Sequence, residues 1–166
     1  MAAQTDPPPL LKVIQINLQH SYTATANLRH LLEGNTETIA LIQEPWIRKG
    51  NICGLNNIGG KLLTATEGKT RSCIYTPRHV TTTILNELCS RDLTAVKLQA
   101  DDRLGLSDVV IASVYLPGEE EVPTPELTAL VSYCETERLE LIISADSNAH
   151  HTIWGSQNTN KRGEDL

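Results

Sequence analysis

The chain has 166 residues, of which 40% are apolar and 20% charged, and its formal net charge is −6. That length suits one domain of ordinary size, and the composition supports a packed core, which excludes disorder throughout. Phe is absent and there are only 2 Trp and 4 Tyr, so the core must be Leu, Ile, Val and Ala. So few aromatic rings also argue against binding single strands mainly by base stacking.

No apolar run approaches the roughly 18 residues of a membrane helix. The opening Met-Ala-Ala-Gln-Thr-Asp-Pro-Pro-Pro lacks the basic and apolar regions of a secretory leader. Cys53, Cys73, Cys89 and Cys134 are scattered with no C-x-x-C pair, which predicts free thiols rather than zinc or a disulfide framework. The acidity is uneven: residues 111–166 carry three basic and ten acidic groups, whereas 1–60 carry four of each. Lys61, Lys69, Arg71 and Arg78 against Glu67 form a locally basic stretch, with basic pairs at Arg48-Lys49 and Lys161-Arg162. A basic rim around an acidic, cation-holding site is compatible with this distribution.

In chain order, residues 1–10 read as an extended arm around Pro7-Pro8-Pro9, and one domain spans 11–166. Leu11–Leu18 alternates as a strand. A helix capped by Ser21 or Thr23 follows, with Ala24, Leu28, Leu31 and Leu32 as its apolar stripe and Gly34 at its stop. Thr38–Gln43 is the next strand, and strand–helix–strand in so short a span predicts a parallel βαβ unit. Short β-rich runs around 61–66, 71–76, 80–85, 93–99 and 109–116 then predict an antiparallel meander, with turns at Gly59-Gly60 and Glu67-Gly68. The opening pattern returns after Tyr115. A helix capped by Thr124, with Pro125 at its first position, carries Leu127, Leu130, Val131 and Cys134, and the strand 139–145 ends at Asp146. Two sheets packed face to face with helices outside would bury all of these strands.

Asn17, Glu44, Tyr115, and Asp146 with Asn148 therefore fall at or just past strand ends, where active sites of helix-flanked sheets gather. A carboxylate there is costly unless hydrated, paired or bound to a cation, and oxygen ligands suit a hard ion. For any one residue an ordinary cap or turn is the simpler explanation; for all of them at equivalent places in a doubled layout it is not.

These residues resemble the endonuclease/exonuclease/phosphatase superfamily, and within it the apurinic-endonuclease-like domain of non-LTR retrotransposons. Ile16-Asn17-Leu18-Gln19-His20 is similar to the family's first strand with its metal-site Asn, and Gln43-Glu44-Pro45-Trp46 to its metal-ligand Glu motif, in the form found in insect elements of the Jockey kind. Val114-Tyr115-Leu116-Pro117 resembles the strand with the active-site Tyr. Ala145-Asp146-Ser147-Asn148-Ala149-His150 resembles the Gly-Asp-x-Asn motif, with Trp154-Gly155-Ser156 and Arg162-Gly163 also fitting. The matches run in family order from about Leu11 to the end of the chain.

The resemblance implies a four-layer αββα, DNase I-like α/β fold, incomplete at the C-terminus, because the family's further strands and Ser-Asp-His motif have no counterpart before Leu166. If the domain ended there, a partly exposed sheet edge, marginal stability and little activity are expected. It implies a Mg2+-dependent endonuclease, with Mn2+ as the alternative ion, that nicks double-stranded DNA in the nucleus to prime reverse transcription. A reverse transcriptase would be fused in the parent polyprotein, and no membrane would be involved. Asn17 and Glu44 would hold the metal, Asp146 and Asn148 would govern the attacking water, and Tyr115 would donate to the phosphate. Two alternatives are a non-catalytic remnant that binds DNA or protein, and another superfamily phosphodiesterase or phosphatase. Departing from the pattern, Ala145 replaces its leading Gly.

Other candidates carry less. His150 and His151 invite use in place of the missing His, but neighbouring His residues are more often local hydrogen-bonding groups. Trp46 and Trp154 could stack on DNA or cover the strand ends. Gly59-Gly60-Lys61 is rejected as a phosphate loop because Leu62 and a strand follow. Glu119-Glu120-Glu121 reads as a solvated loop.

Overall fold

A computed structural model describes residues 10–64 and 69–165. Of the arm only Leu10 is described, and it is exposed; the turn at Glu67-Gly68 lies outside the described residues. β1 (Lys12–Asn17) and β2 (Thr38–Gln43) pair in parallel across α1 (Tyr22–Glu33). Ser21 Oγ accepts Ala24 N–H at 3.2 Å to cap α1, and Gly34 closes it. A hairpin of β3 (Ile47–Arg48) and β4 (Asn51–Ile52) follows; strands of two residues leave no alternation for a sequence to show. The middle holds β5 (Gly60–Leu63), β6 (Ser72–Pro77), β7 (Thr82–Ile84), β8 (Leu93–Leu98) and β9 (Val109–Tyr115). After α2 (Pro125–Glu137) come β10 (Glu140–Asp146), parallel to β9, and the short α3 (Lys161–Asp165).

The sheets run β1-β2-β6-β5 and β10-β9-β8-β7. The middle strands are antiparallel as expected, yet they do not make one meander: β5 and β6 extend the first sheet, and β7, β8 and β9 build the second. The chain changes sheets between β6 and β7. There Val80 plugs the gap between the sheets with 1% of its surface exposed, and its carbonyl accepts Lys61 Nζ at 2.5 Å. Lys61 thus anchors this crossing, and burial pulls its ammonium below the ordinary lysine range.

Three apolar clusters define the four layers. Leu28 and Leu32 of α1 pack on Ala40, Ile42, Cys73 and Tyr75 of the first sheet. Ile39, Leu41 and Ile74 meet Val96, Leu98 and Ile111 between the sheets. Leu130 and Cys134 of α2 cover Leu93, Ala95, Val110, Ala112 and Val114. This is the α/β sandwich that the sequence predicts. The helical stripes are narrower than predicted, since Leu31 and Val131 are partly exposed and Thr25 is buried instead. All four cysteines are free thiols, and burial pushes the Cys73 thiol far up. Among the described residues no helix is long and apolar enough to cross a membrane.

The space between the sheets changes character toward one end. Along the inward positions, Leu41 gives way to Gln43, Ile74 to Ser72, Val96 to Thr94 and Ile111 to Ser113, and all four polar replacements are fully buried. Gln43 Nε2 donates to Ser113 Oγ at 2.9 Å, Ser113 Oγ donates to Ile42 O at 2.9 Å, and Ser72 Oγ donates to Ser113 O at 2.6 Å. Thr94 Oγ1 donates to Ser72 O at 3.0 Å. Buried polar groups so paired offset their desolvation and fix one register between the sheets.

Gln43→Leu removes one of the links between the sheets, leaves Ser113 Oγ without its donor, and takes from Gln15 Nε2 its shorter acceptor, Gln43 Oε1 at 3.0 Å. We expect a loss of about 1–3 kcal/mol by urea unfolding. Leu130→Ala, emptying a fully buried position under α2, should cost more, about 2–5 kcal/mol in the same assay.

Candidate active site

The five predicted site residues lie at the polar end of the sandwich. Asn17 ends β1, Tyr115 ends β9 and Asp146 ends β10, while Glu44 is the residue after β2. Asn17 is the register partner of Gln43, so Glu44 begins beside it; Asp146 is the register partner of Tyr115. Asn17 Nδ2 donates to Asp146 Oδ2 at 2.5 Å, joining the two sheets directly. Asn17 Oδ1 accepts Gln19 N–H at 2.7 Å, which fixes the amide's orientation. Asp146 Oδ1 accepts Asn148 N–H at 3.2 Å, and Asn148 Nδ2 donates to Leu116 O at 2.9 Å.

The backbone at these positions is strained. Gln19, His20, Glu44 and Asn148 have φ of 49°, 53°, 48° and 50°, a left-handed conformation that few non-glycine residues adopt. The surrounding bonds compel it: Glu44 N–H donates to Arg71 O and His20 N–H donates to Glu44 O, each at 2.9 Å. Such conformations persist only where neighbouring structure over-determines them, and they concentrate at functional sites.

His20 was not among the predicted site residues, although it lies within the first motif. Its Nδ1 donates to Pro45 O at 2.9 Å, which leaves Nε2 facing Glu44 Oε1 at 3.7 Å. That distance exceeds a hydrogen bond, so His20 does not claim the Glu44 carboxylate as an acceptor. Asn17, Glu44 and Asp146 offer oxygen donors only, which fit a hard dication that binds one or two carboxylates and fills its remaining positions with water or substrate. Among the described residues no three His, Cys, Asp or Glu side chains gather in a metal-holding group.

Tyr115 is half-buried, and the Arg71 guanidinium lies 4.5 Å from its ring centre. Asp92 grips Arg71 with both oxygens, at 2.5 and 2.6 Å, and this hydrogen bonding raises the guanidinium above its ordinary value. Neither Arg71 nor Asp92 could be singled out from spacing alone, since they stand 21 residues apart, just before strands of different sheets. A cavity of about 190 Å3 adjoins Tyr115, with Arg91, Asp92, Glu120 and Thr124 in its wall.

The segment after Asp146 is held by Arg162 and Asn160. Arg162 donates to Leu116 O at 3.1 Å, Ser147 O at 2.6 Å, Pro117 O at 2.7 Å and Glu120 O at 2.5 Å. The acidic loop is therefore tethered through its backbone, although Glu119, Glu120 and Glu121 are exposed as expected. Asn160 Nδ2 donates to Asn148 O, and Gly163 packs so closely on the His150 backbone that no Cβ could be accommodated. His151 Nδ1 accepts Ile153 N–H at 3.0 Å and its ring lies 5.1 Å from that of Trp154, so it serves a local turn; His150 is exposed. Trp46 packs edge-on against Tyr22 with ring centres 4.9 Å apart, whereas Trp154 remains half exposed.

Residues 109–166 match a family profile described as endonuclease-reverse transcriptase. The match runs from β9 with Tyr115 through Asp146, Asn148 and Arg162; Asn17 and Glu44 lie outside it. The structure is similar to the endonuclease domain of TRAS1, a telomere-specific non-LTR retrotransposon, with TM-score 0.68 and 24% identity over 94% of this chain and 67% of that one. The fold is the DNase I-like fold of retrotransposon endonuclease domains. A humanized D. rerio TDP2 shares this DNase I-like fold at TM-score 0.57 and 12% identity, over 91% of this chain and 68% of its own. No curated protein sequence matches the chain significantly.

In this DNase I-like frame, Arg162 is the clasp of the Asp146–Asn148 segment. Arg162→Met should lower stability by about 1–3 kcal/mol, since it leaves charge-assisted acceptors unpaired. Hydrogen–deuterium exchange should quicken across residues 147–160 and stay unchanged in β2.

Proposed function

We propose that the chain is a metal-dependent phosphodiester hydrolase that nicks double-stranded DNA. The observation that supports this most is the Asn17–Asp146 hydrogen bond, because it brings polar strand ends of both sheets together next to Glu44. Asn17 and Glu44 would hold Mg2+, or Mn2+, which when bound supplies Lewis-acid polarisation of the phosphoryl oxygen and offsets charge on the departing oxygen. Asp146, steadied by Asn17 and the Asn148 N–H, would take a proton from the attacking water, and Asn148 Oδ1 would orient that water. The new P–O bond forms as the bond to O3′ breaks, and the departing oxygen takes a proton from solvent. Tyr115 would donate to a non-bridging oxygen as its charge grows.

The charge distribution is compatible with a polyanionic substrate. Arg48 and Lys49 stand exposed on the β3–β4 turn just after Glu44, and Lys69 and Arg91 stand exposed beside Arg71 and Asp92. In a retroelement context such a nick would prime reverse transcription by a fused reverse transcriptase, on chromosomal DNA and hence in the nucleus. A second reading is another phosphodiesterase or phosphatase on the same fold, since the oxygen ligands and Tyr115 would serve any phosphate ester.

The test is relaxation of supercoiled plasmid with Mg2+. Glu44→Gln and Asp146→Asn should each lower nicking by about 100-fold or more, and chelator should abolish it. Nicking that survives Asp146→Asn would overturn the assignment. Hydrolysis of small phosphodiesters without plasmid relaxation would favour the second reading.

A further inference from the structure

Tyr115 and Glu44 belong to different sheets, and one residue touches both. The carbonyl of Arg71 accepts Glu44 N–H at 2.9 Å, while its side chain crosses to the second sheet and lies over the Tyr115 ring. Asp92, which fixes the guanidinium through two hydrogen bonds, also accepts Tyr115 N–H through its own carbonyl at 2.8 Å. Backbone and ring of Tyr115 are thus both referenced to the Arg71–Asp92 pair.

We propose that Arg71, its guanidinium oriented by Asp92, is a positioning residue that fixes the Tyr115 ring relative to Glu44. The inference rests on the nuclease reading for its catalytic consequence, though not for the coupling itself. A guanidinium suits the task because its rigid fork can be gripped by a carboxylate along one edge while its face stacks on an aromatic ring; an ammonium cannot do both. The pair is only about one-fifth exposed on each side, so solvent weakens it less than it would a surface ion pair. A phenol that must donate to a developing charge gains from a fixed orientation, since small misplacements cost rate rather than affinity.

The experiment labels the protein with 3-fluorotyrosine and follows fluorine resonances, which Tyr115→Phe assigns among the 4 tyrosines. Arg71→Met keeps the aliphatic stem and removes the stack; Asp92→Asn keeps the arginine and weakens its grip. Both should move the Tyr115 resonance and leave those of Tyr22, Tyr75 and Tyr133 in place. In plasmid nicking, Arg71→Met should lower kcat about tenfold with KM unchanged, and should cost nothing further in a Tyr115→Phe background. A Tyr115 resonance that stays put in both variants overturns the inference. So does a raised KM at unchanged kcat with a salt dependence shallower by about one phosphate contact, which would make Arg71 a DNA contact. If neither the chain nor a C-terminally extended form of it nicks, the nuclease reading falls, while the fluorine resonances still decide whether Arg71 positions Tyr115.

Discussion

The architecture hangs on the buried polar bridge between the sheets. An apolar interface would hold the two sheets together without fixing how far one slides along the other, because dispersion and hydrophobic burial are nearly indifferent to register. Gln43, Ser72, Thr94 and Ser113 remove that freedom, since each is fully buried and bonded to the opposite or neighbouring strand. Each lies within two residues of a candidate site residue or of Arg71 or Asp92. Gln43 precedes Glu44, Ser113 lies two before Tyr115, Ser72 follows Arg71 and Thr94 lies two after Asp92. Fixing the register of the sheets at this layer fixes where those side chains stand one step further out.

The strained loops complete the arrangement. After Asn17 and after Gln43 the chain leaves its strand through left-handed residues, and the two exits bond to each other through His20 and Glu44. Strain of this kind is tolerable because β2 beneath is buried along its whole length. At Asn148, two residues after the last strand, Arg162, Asn160 and Leu116 constrain a left-handed residue in the same way.

Much of this frame is legible in the sequence, for reasons that are local. The βαβ units show because α1 and α2 each carry a capping hydroxyl, an apolar stripe and flanking strands of apolar residues. The strand ends stand out because a polar residue interrupts such a run, as at Gln43-Glu44 and Asp146. What stays hidden is pairing across the sandwich. Alternation tells which face Ser72 and Ser113 occupy, but not that they face each other, and nothing in the spacing of Arg71, Asp92 and Tyr115 tells that they touch. The division of the middle strands is hidden likewise. Antiparallel neighbours and a change of sheet look alike in sequence until Val80 is seen filling the gap between the sheets.

Asn17 and Asp146 are the final residues of β1 and β10, and each of these strands pairs in parallel with one partner, β2 and β9, among the described residues. Their mutual hydrogen bond, with Gln15 donating to Ala145 O at 3.4 Å one step below, ties one strand end to the other across the sandwich. The carboxylate of Asp146 is therefore only as well placed as that stitch. The grip of Arg162 on the carbonyls of Leu116 and Ser147 restrains the same strand end from the side that the stitch does not reach.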